Sequence, residues 1–279
     1  MFQQLKQAFY ESYEILLNRT FICISSIMAF YSLAKALRIV VMGWYVYDMT
    51  GDPLHLGWLA FAEAICYIVS NPFGGYLADR YGRVRQTYIL IALTFGLTIW
   101  LTYLVSMPFT SNNLWWIYFV SAGFGLSRGA FASGALSTLF AMSFSKHVYH
   151  KANAWSGTIG QTGGILGPII GGVLYHHHGV VTANGIVLVF ISLSLIANFF
   201  LKDITLNRDD AHHPISRQLT AGFRYIFTHP ILRSTVVLDF ITVVFSGVAG
   251  LLPVFAKDIL HLGPDGLGYL RASIQLGAI

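Results

Sequence analysis

Lys35, Arg38, Glu63, Arg128 and Asp239 fall inside stretches that are otherwise apolar enough to sit in lipid. A charge held away from water is costly, and it persists where it pairs, binds a ligand or carries a proton. Lys35 and Arg38 are three residues apart, so on a helix they share a face. Counted at about 1.5 Å per residue, Arg38 lies about 13 Å and Glu63 about 10 Å below the same end of their two helices, at depths that allow them to pair. Such a set offers ion pairing, proton transfer or recognition of a polar substrate group. A structural ion pair, or a long side chain reaching for the interface, is the plainer reading. The aromatics Trp44, Phe61 and Tyr67 are candidates for the wall of an apolar cavity, with packing or lipid contact as the alternative.

No other constellation adds catalytic chemistry. Gly125-Leu126-Ser127-Arg128-Gly129 matches the string of a hydrolase nucleophile elbow, which requires a strand–turn–helix; in an apolar helix these glycines serve packing. Ser32-Leu33-Ala34-Lys35 matches S-x-x-K and meets the same objection. His176-His177-His178 reads as a polar surface loop rather than a metal site. No G-x-x-x-x-G-K-[ST] loop is present to cradle ATP. The expectation is a protein that is not an enzyme and holds no metal or organic cofactor.

The elements that must position these groups are membrane helices. Of 279 residues, 55% are hydrophobic and 10% charged, against about 25% charged in a typical soluble domain; mean hydropathy is +0.62. A span needs about 20 apolar residues. Apolar blocks predict helices at about 21–47, 56–77, 87–107, 114–141, 155–175, 180–201 and 233–256, with an eighth starting near Leu267. The eighth is still short of a crossing at Ile279, which makes a partial chain the expectation. The net charge of +5 does not indicate nucleic acid, because the basic residues sit in short loops between apolar blocks. Twelve of them, from Lys6 and Arg19 through Arg80, Arg83 and Arg85 to Arg233, fall on one side of the implied topology, with only Lys257 on the other. This bias puts the N-terminus in the cytoplasm. Cys23 and Cys66 lie in apolar blocks and read as buried thiols. The first apolar block is too long for a cleavable signal.

The organisation is therefore all-α and polytopic. It comprises a cytoplasmic segment 1–20, a six-helix bundle 21–201, a polar cytoplasmic linker 202–232 and the start of a second bundle 233–279. Within the linker, Ile215 to Phe227 can form an amphipathic surface helix with Leu219, Phe223 and Ile226 on one face and Arg217 and Arg224 on the other. Six spans, a linker and more spans is the layout of a two-halved transporter.

Two motifs narrow this. Gly75-Tyr76-Leu77-Ala78-Asp79-Arg80-Tyr81-Gly82-Arg83-Val84-Arg85 is placed in the loop between helices 2 and 3, where glycines permit a tight reversal and arginines meet the anionic inner leaflet. Gly163, Gly167 and Gly171 recur every four residues in helix 5 on one face, with Pro168 and Gly172 beside them. The first strip resembles the signature loop of the major facilitator superfamily, with Val84 where a second basic residue is usual. That resemblance implies a cytoplasmic latch made by Gly75, Asp79, Arg80, Gly82, Arg83 and Arg85. The second is similar to the family's antiporter motif, which implies export in exchange for protons. Trp44-Tyr45-Val46-Tyr47-Asp48-Met49-Thr50-Gly51-Asp52-Pro53, Leu251 to Asp258 and Gly263 to Gly268 resemble a bacterial exporter branch that includes enterobactin-type siderophore and multidrug exporters, the transmembrane secretion effectors. The resemblance covers essentially the whole chain and implies further helices beyond Ile279.

The family often carries a helix-4 arginine linked to proton transfer, in an R-x-x-Q-G pattern that Arg128 does not complete, since Phe131 and Ala132 follow. The expected function is proton-coupled efflux of a small amphipathic molecule by alternating access in a bacterial inner membrane. The proton gradient supplies the energy, the lipid bilayer, the substrate and protons are the partners, and a monomer is expected. Lys35, Arg38, Glu63, Arg128 and Asp239 are the candidate pathway. A proton-coupled importer and a non-transporting membrane protein are the alternatives.

Overall fold

The computed structural model of the chain describes residues 19–132, 146–201, 228–245 and 247–277. The N-terminal segment up to Asn18 and the linker helix expected at Ile215–Phe227 lie outside the described residues. So do the side chains of Asp79, Arg80 and Asp239. Helices α1 (Arg19–Thr50), α2 (Pro53–Tyr81), α3 (Arg83–Ser106) and α4 (Ser111–Ala132) follow one another. The segment Lys146–Phe199 is broken at Gly179 (φ 79°, ψ 175°) into α5 (146–178) and α6 (180–199). After α7 (Pro230–Phe245) the chain passes through a 3₁₀ turn, Gly247–Leu251, one α-turn, Leu252–Val254, and a π-turn, Phe255–Ile259, before α8 (Pro264–Leu276). Four helical segments, the unsplit Lys151–Phe199 among them, are long and apolar enough to cross a membrane.

The turns follow from local chemistry. Thr50 folds its hydroxyl back on the Val46 carbonyl at 2.7 Å, Gly51 ends α1 at φ 65°, and Asp52 accepts a hydrogen bond from the Leu54 amide at 2.8 Å. Pro53 then opens α2, where its missing donor costs nothing. The Thr-Gly-Asp-Pro strip is thus a helix stop followed directly by a helix start.

Three expectations change. The Gly75–Arg85 strip is not a loop: residues through Tyr81 complete α2, Arg83 opens α3, and the reversal is Gly82 alone, at φ 82° and ψ 150°. His176-His177-His178 is the last turn of α5 rather than a loop, because Gly179 makes its reversal in one residue. Helix 7 is not continuous over 233–256; Gly247, Gly250 and Pro253 interrupt it.

Gly82 occupies backbone space essentially reserved for glycine, so Gly82→Ala should lower stability by about 1–3 kcal/mol. A Cβ there meets nothing within 4 Å, so the loss is conformational. Gly57→Ala, inside α2 and equally open, is the control and should be neutral or slightly stabilising. Thermal unfolding of the two purified variants checks this; equal melting temperatures would refute it.

Apolar burial cannot drive helices together inside lipid, so close packing and interhelical hydrogen bonds must. Helix α1 packs along α5 and α6, α2 along α4, and α3 against both groups. Gly163, Gly167 and Gly171 face α1: a Cβ at Gly167 would lie 2.7 Å from Ala36 Cβ. One position round, Gly172 and Pro168 face α8, where a Cβ at Gly172 would lie 2.4 Å from the Pro264 carbonyl and one at Gly268 would lie 2.5 Å from the Pro168 carbonyl. The helix-5 motif is therefore two adjacent small-residue faces serving two partners. Ser32 Oγ donates to the Gly160 carbonyl (2.9 Å), Ser194 Oγ to Ile27 (3.3 Å) and Ser121 Oγ to Leu59 (3.2 Å), each between helices.

Candidate functional site

The site is built where α1, α2 and α4 meet. Arg38 is almost fully buried and reaches Glu63 with one nitrogen, Nη2, at 3.2 Å from Oε2 and 3.4 Å from Oε1. Arg128 Nη1 reaches Glu63 Oε1 at 3.4 Å. One carboxylate thus serves two guanidiniums. Each guanidinium also lies over an aromatic ring, Arg38 3.9 Å from the centroid of Phe124 and Arg128 4.3 Å from that of Tyr67. Such contacts stabilise a desolvated cation by about 2 kcal/mol.

Helix packing sets this geometry. Gly125 and Gly129 share a face of α4, and a Cβ at Gly125 would lie 2.0 Å from the Glu63 carbonyl oxygen. At Gly129 it would lie 2.0 Å from Ser70 Oγ. The glycines flanking Arg128 are what bring α4 close enough to α2 for Arg128 to meet Glu63. They are packing residues, as the sequence suggested.

The triad borders two cavities. One, of about 290 Å³, is walled by Met42, Leu56, Leu59 and Ile117 and reaches Arg271 on α8 and Gly250 in the break after α7. The other, of about 20 Å³, reaches Lys35, Tyr31 and Thr94. Arg38, Glu63, Phe124 and Arg128 line both.

Of the pathway candidates, Arg38, Glu63 and Arg128 come together and Lys35 lies on the same pocket. Asp239 is on α7, with its side chain outside the described residues. Among the aromatics, Tyr67 sits beneath Arg128, whereas Trp44 is buried against Ala256 and Leu267 and Phe61 is 55% exposed. In the Gly75–Arg85 strip, Arg83 is half-buried and Arg85 exposed, both in the first turn of α3.

Three residues were not anticipated. Phe124 and Arg271 carry no motif; an arginine in the eighth apolar stretch was the available signal for the second. Gln86 is fully buried and its Nε2 donates to the carbonyls of Gly74 (2.8 Å) and Ala130 (3.1 Å), tying α3 to α2 and α4 beside the Gly82 turn.

A second polar cluster closes the end of the bundle that carries the Gly51 and Gly179 turns. Lys257 Nζ meets Asp48 Oδ1 at 2.6 Å, Tyr47 donates to Asp258, and His176 Nδ1 lies 3.2 Å from Asp265 Oδ1. These contacts join α1 and α5 to the segment after α7.

A family model described as Major Facilitator Superfamily matches residues 22–279. The enterobactin exporter EntS of Shigella boydii serotype 18 is 29% identical over 211 residues, covering 74% of this chain and 48% of that protein. The enterobactin exporter EntS of Escherichia coli O1:K1 matches to the same extent, 29% over 211 residues with 74% and 48% covered. The chain thus spans about half the length of the curated relatives it matches. Among solved structures, a D-xylose-proton symporter superposes with a TM-score of 0.63 at 12% identity, covering 92% of this chain and 65% of the symporter, a likeness of fold.

Proposed function

The chain belongs to the Major Facilitator Superfamily, and on that premise we propose that it forms part of a proton-coupled exporter of small amphipathic molecules working by alternating access. The observation that carries this reading is the Arg38–Glu63–Arg128 triad at the edge of an apolar cavity. A carboxylate shared by two cations has its charge balance altered by one proton or one substrate group, and a ligand moves a two-state equilibrium only through such differential affinity. The glycine–proline run of α5 and the likeness to enterobactin exporters favour the outward direction. With the N-terminus in the cytoplasm of a bacterial inner membrane, the end joined by Asp48–Lys257 and His176–Asp265 faces outward.

Efflux of dyes, drugs and siderophores from cells making the complete protein is the test. Efflux should collapse when a protonophore dissipates the gradient; efflux that persists undiminished rules out proton coupling. The latch assigned to Asp79 and Arg83 is tested alongside. Asp79→Ala and Arg83→Ala should each slow efflux several-fold at normal membrane levels, and full activity in both would remove the assignment.

A further inference from the structure

We propose that the cavity selects organic anions: molecules that pair an apolar or aromatic body with a carboxylate or similarly acidic oxygen group. This rests on the transporter reading above and specifies its substrate class. The described residues lining the two neighbouring cavities include Lys35, Arg38, Arg128 and Arg271 against Glu63 as the one carboxylate, a net formal charge of +3. With Lys35 taken as neutral, two guanidiniums still stand in excess. Charges inside a membrane bundle are held by partners of opposite sign, and the described walls do not supply enough of them.

Arg271 carries the argument furthest. Its Nη2 donates to the Ala249 carbonyl at 3.1 Å, in the broken segment after α7. Its Nε is buried without a hydrogen-bond partner among the described residues. It has no carboxylate within ion-pair distance among those residues, unlike Arg38 and Arg128. On the cavity wall, with no carboxylate partner among the described residues, its planar guanidinium meets an oxyanion through the η N–H groups left over from the Ala249 contact. Arg38, Arg128 and Glu63 line the same cavity, and Met42, Leu59 and Ile117 supply the apolar wall that takes the apolar body. The layout is a cationic clamp around an apolar slot.

The test uses the purified complete protein in nanodiscs of zwitterionic lipid, so that anionic headgroups do not compete. Three probes share one ring system: 2-naphthoate, 2-naphthylmethanol and 2-naphthylmethylammonium. Equilibrium dialysis, corrected with empty nanodiscs, should show naphthoate bound at least about tenfold more tightly than the ammonium, the discrimination expected of one desolvated charge contact. Arg271→Gln should reduce that preference about tenfold and leave naphthylmethanol binding unchanged, and Arg271→Lys should restore most of it. A preference unchanged in Arg271→Gln, equal binding of all three probes, preference for the ammonium, or no binding at all each overturns the assignment. Efflux of cationic compounds that saturating naphthoate does not inhibit would overturn it while the transporter reading stands. Failure of the complete protein to move any compound would sink the transporter reading, with anion binding still read independently by dialysis.

Discussion

Glu63→Gln should cut coupled transport by about two orders of magnitude while the protein still inserts and folds. Glutamine keeps the volume and hydrogen-bonding reach of the side chain but removes the charge that Arg38 and Arg128 share at 3.2 and 3.4 Å. The two guanidiniums then lie near each other with no carboxylate between them, and the site loses the group whose charge state couples it to a proton. A hundredfold loss corresponds to about 2.7 kcal/mol, just under the roughly 3–5 kcal/mol that breaking a buried pair by removing one partner costs. Because the cavity becomes more cationic, naphthoate binding should strengthen as transport falls, a split that misfolding does not produce. Glu63→Ala should also lower stability, since it leaves a void. A double-mutant cycle with Arg38→Gln should show a coupling of about 1–3 kcal/mol in thermal unfolding. Efflux rates in inverted vesicles provide the main readout, and Glu63→Gln vesicles as active as the parent would end the case for the triad.

Gly125→Val is the second large effect. A Cβ at Gly125 would lie 2.0 Å from the backbone oxygen of Glu63, a contact a flexible side chain cannot relieve. Restoring van der Waals distance requires α4 and α2 to separate by more than about 1 Å, and over-packing of that kind costs roughly 1–3 kcal/mol or more. The separation falls at the triad, where the ion pairs are already near the limit of good geometry, so transport should be lost nearly completely. Gly96→Ala on α3, with nothing within 4 Å of the added methyl, should behave as the parent does. Melting temperature and efflux measured on both variants decide the matter; a Gly125→Val protein indistinguishable from Gly96→Ala would show that the close approach is dispensable.

Much of the architecture was legible because lipid imposes it. Long apolar blocks must be helices, since no water is present to satisfy an open backbone. The match in depth between Arg38 and Glu63 followed from rise per residue alone, and their pairing at 3.2 Å agrees with it. The four-residue spacing of Gly163, Gly167 and Gly171 predicted one close-packed face, and that face lies on α1. The Gly75–Arg85 strip was harder. Its glycines suggested a loop, but helix continues through every residue except Gly82, the one glycine of the strip with positive φ.

Other features had no local signature. Which side of an apolar helix meets protein and which meets lipid is scarcely encoded when both are greasy, so Phe124 beneath Arg38 and Trp44 against Leu267 were decided by helix rotation. The break after α7 arises because Gly247, Gly250 and Pro253 weaken a stretch that hydropathy counts as one span. Arg271 becomes part of the site only because α8 packs on α5 along Gly172, Pro168 and Gly268.

The sequence by itself determined the number and order of spans through helix 6, the short segments within which the chain reverses, and the charges lipid would force to find partners. Those follow from solvation and backbone sterics, which act residue by residue. Only the tertiary structure decided that Arg128 joins Arg38 on one carboxylate, that Arg271 faces the same cavity, and that Lys257 closes on Asp48. Those depend on how closely helices far apart in the chain approach, a distance set by glycines on one helix meeting backbone on another.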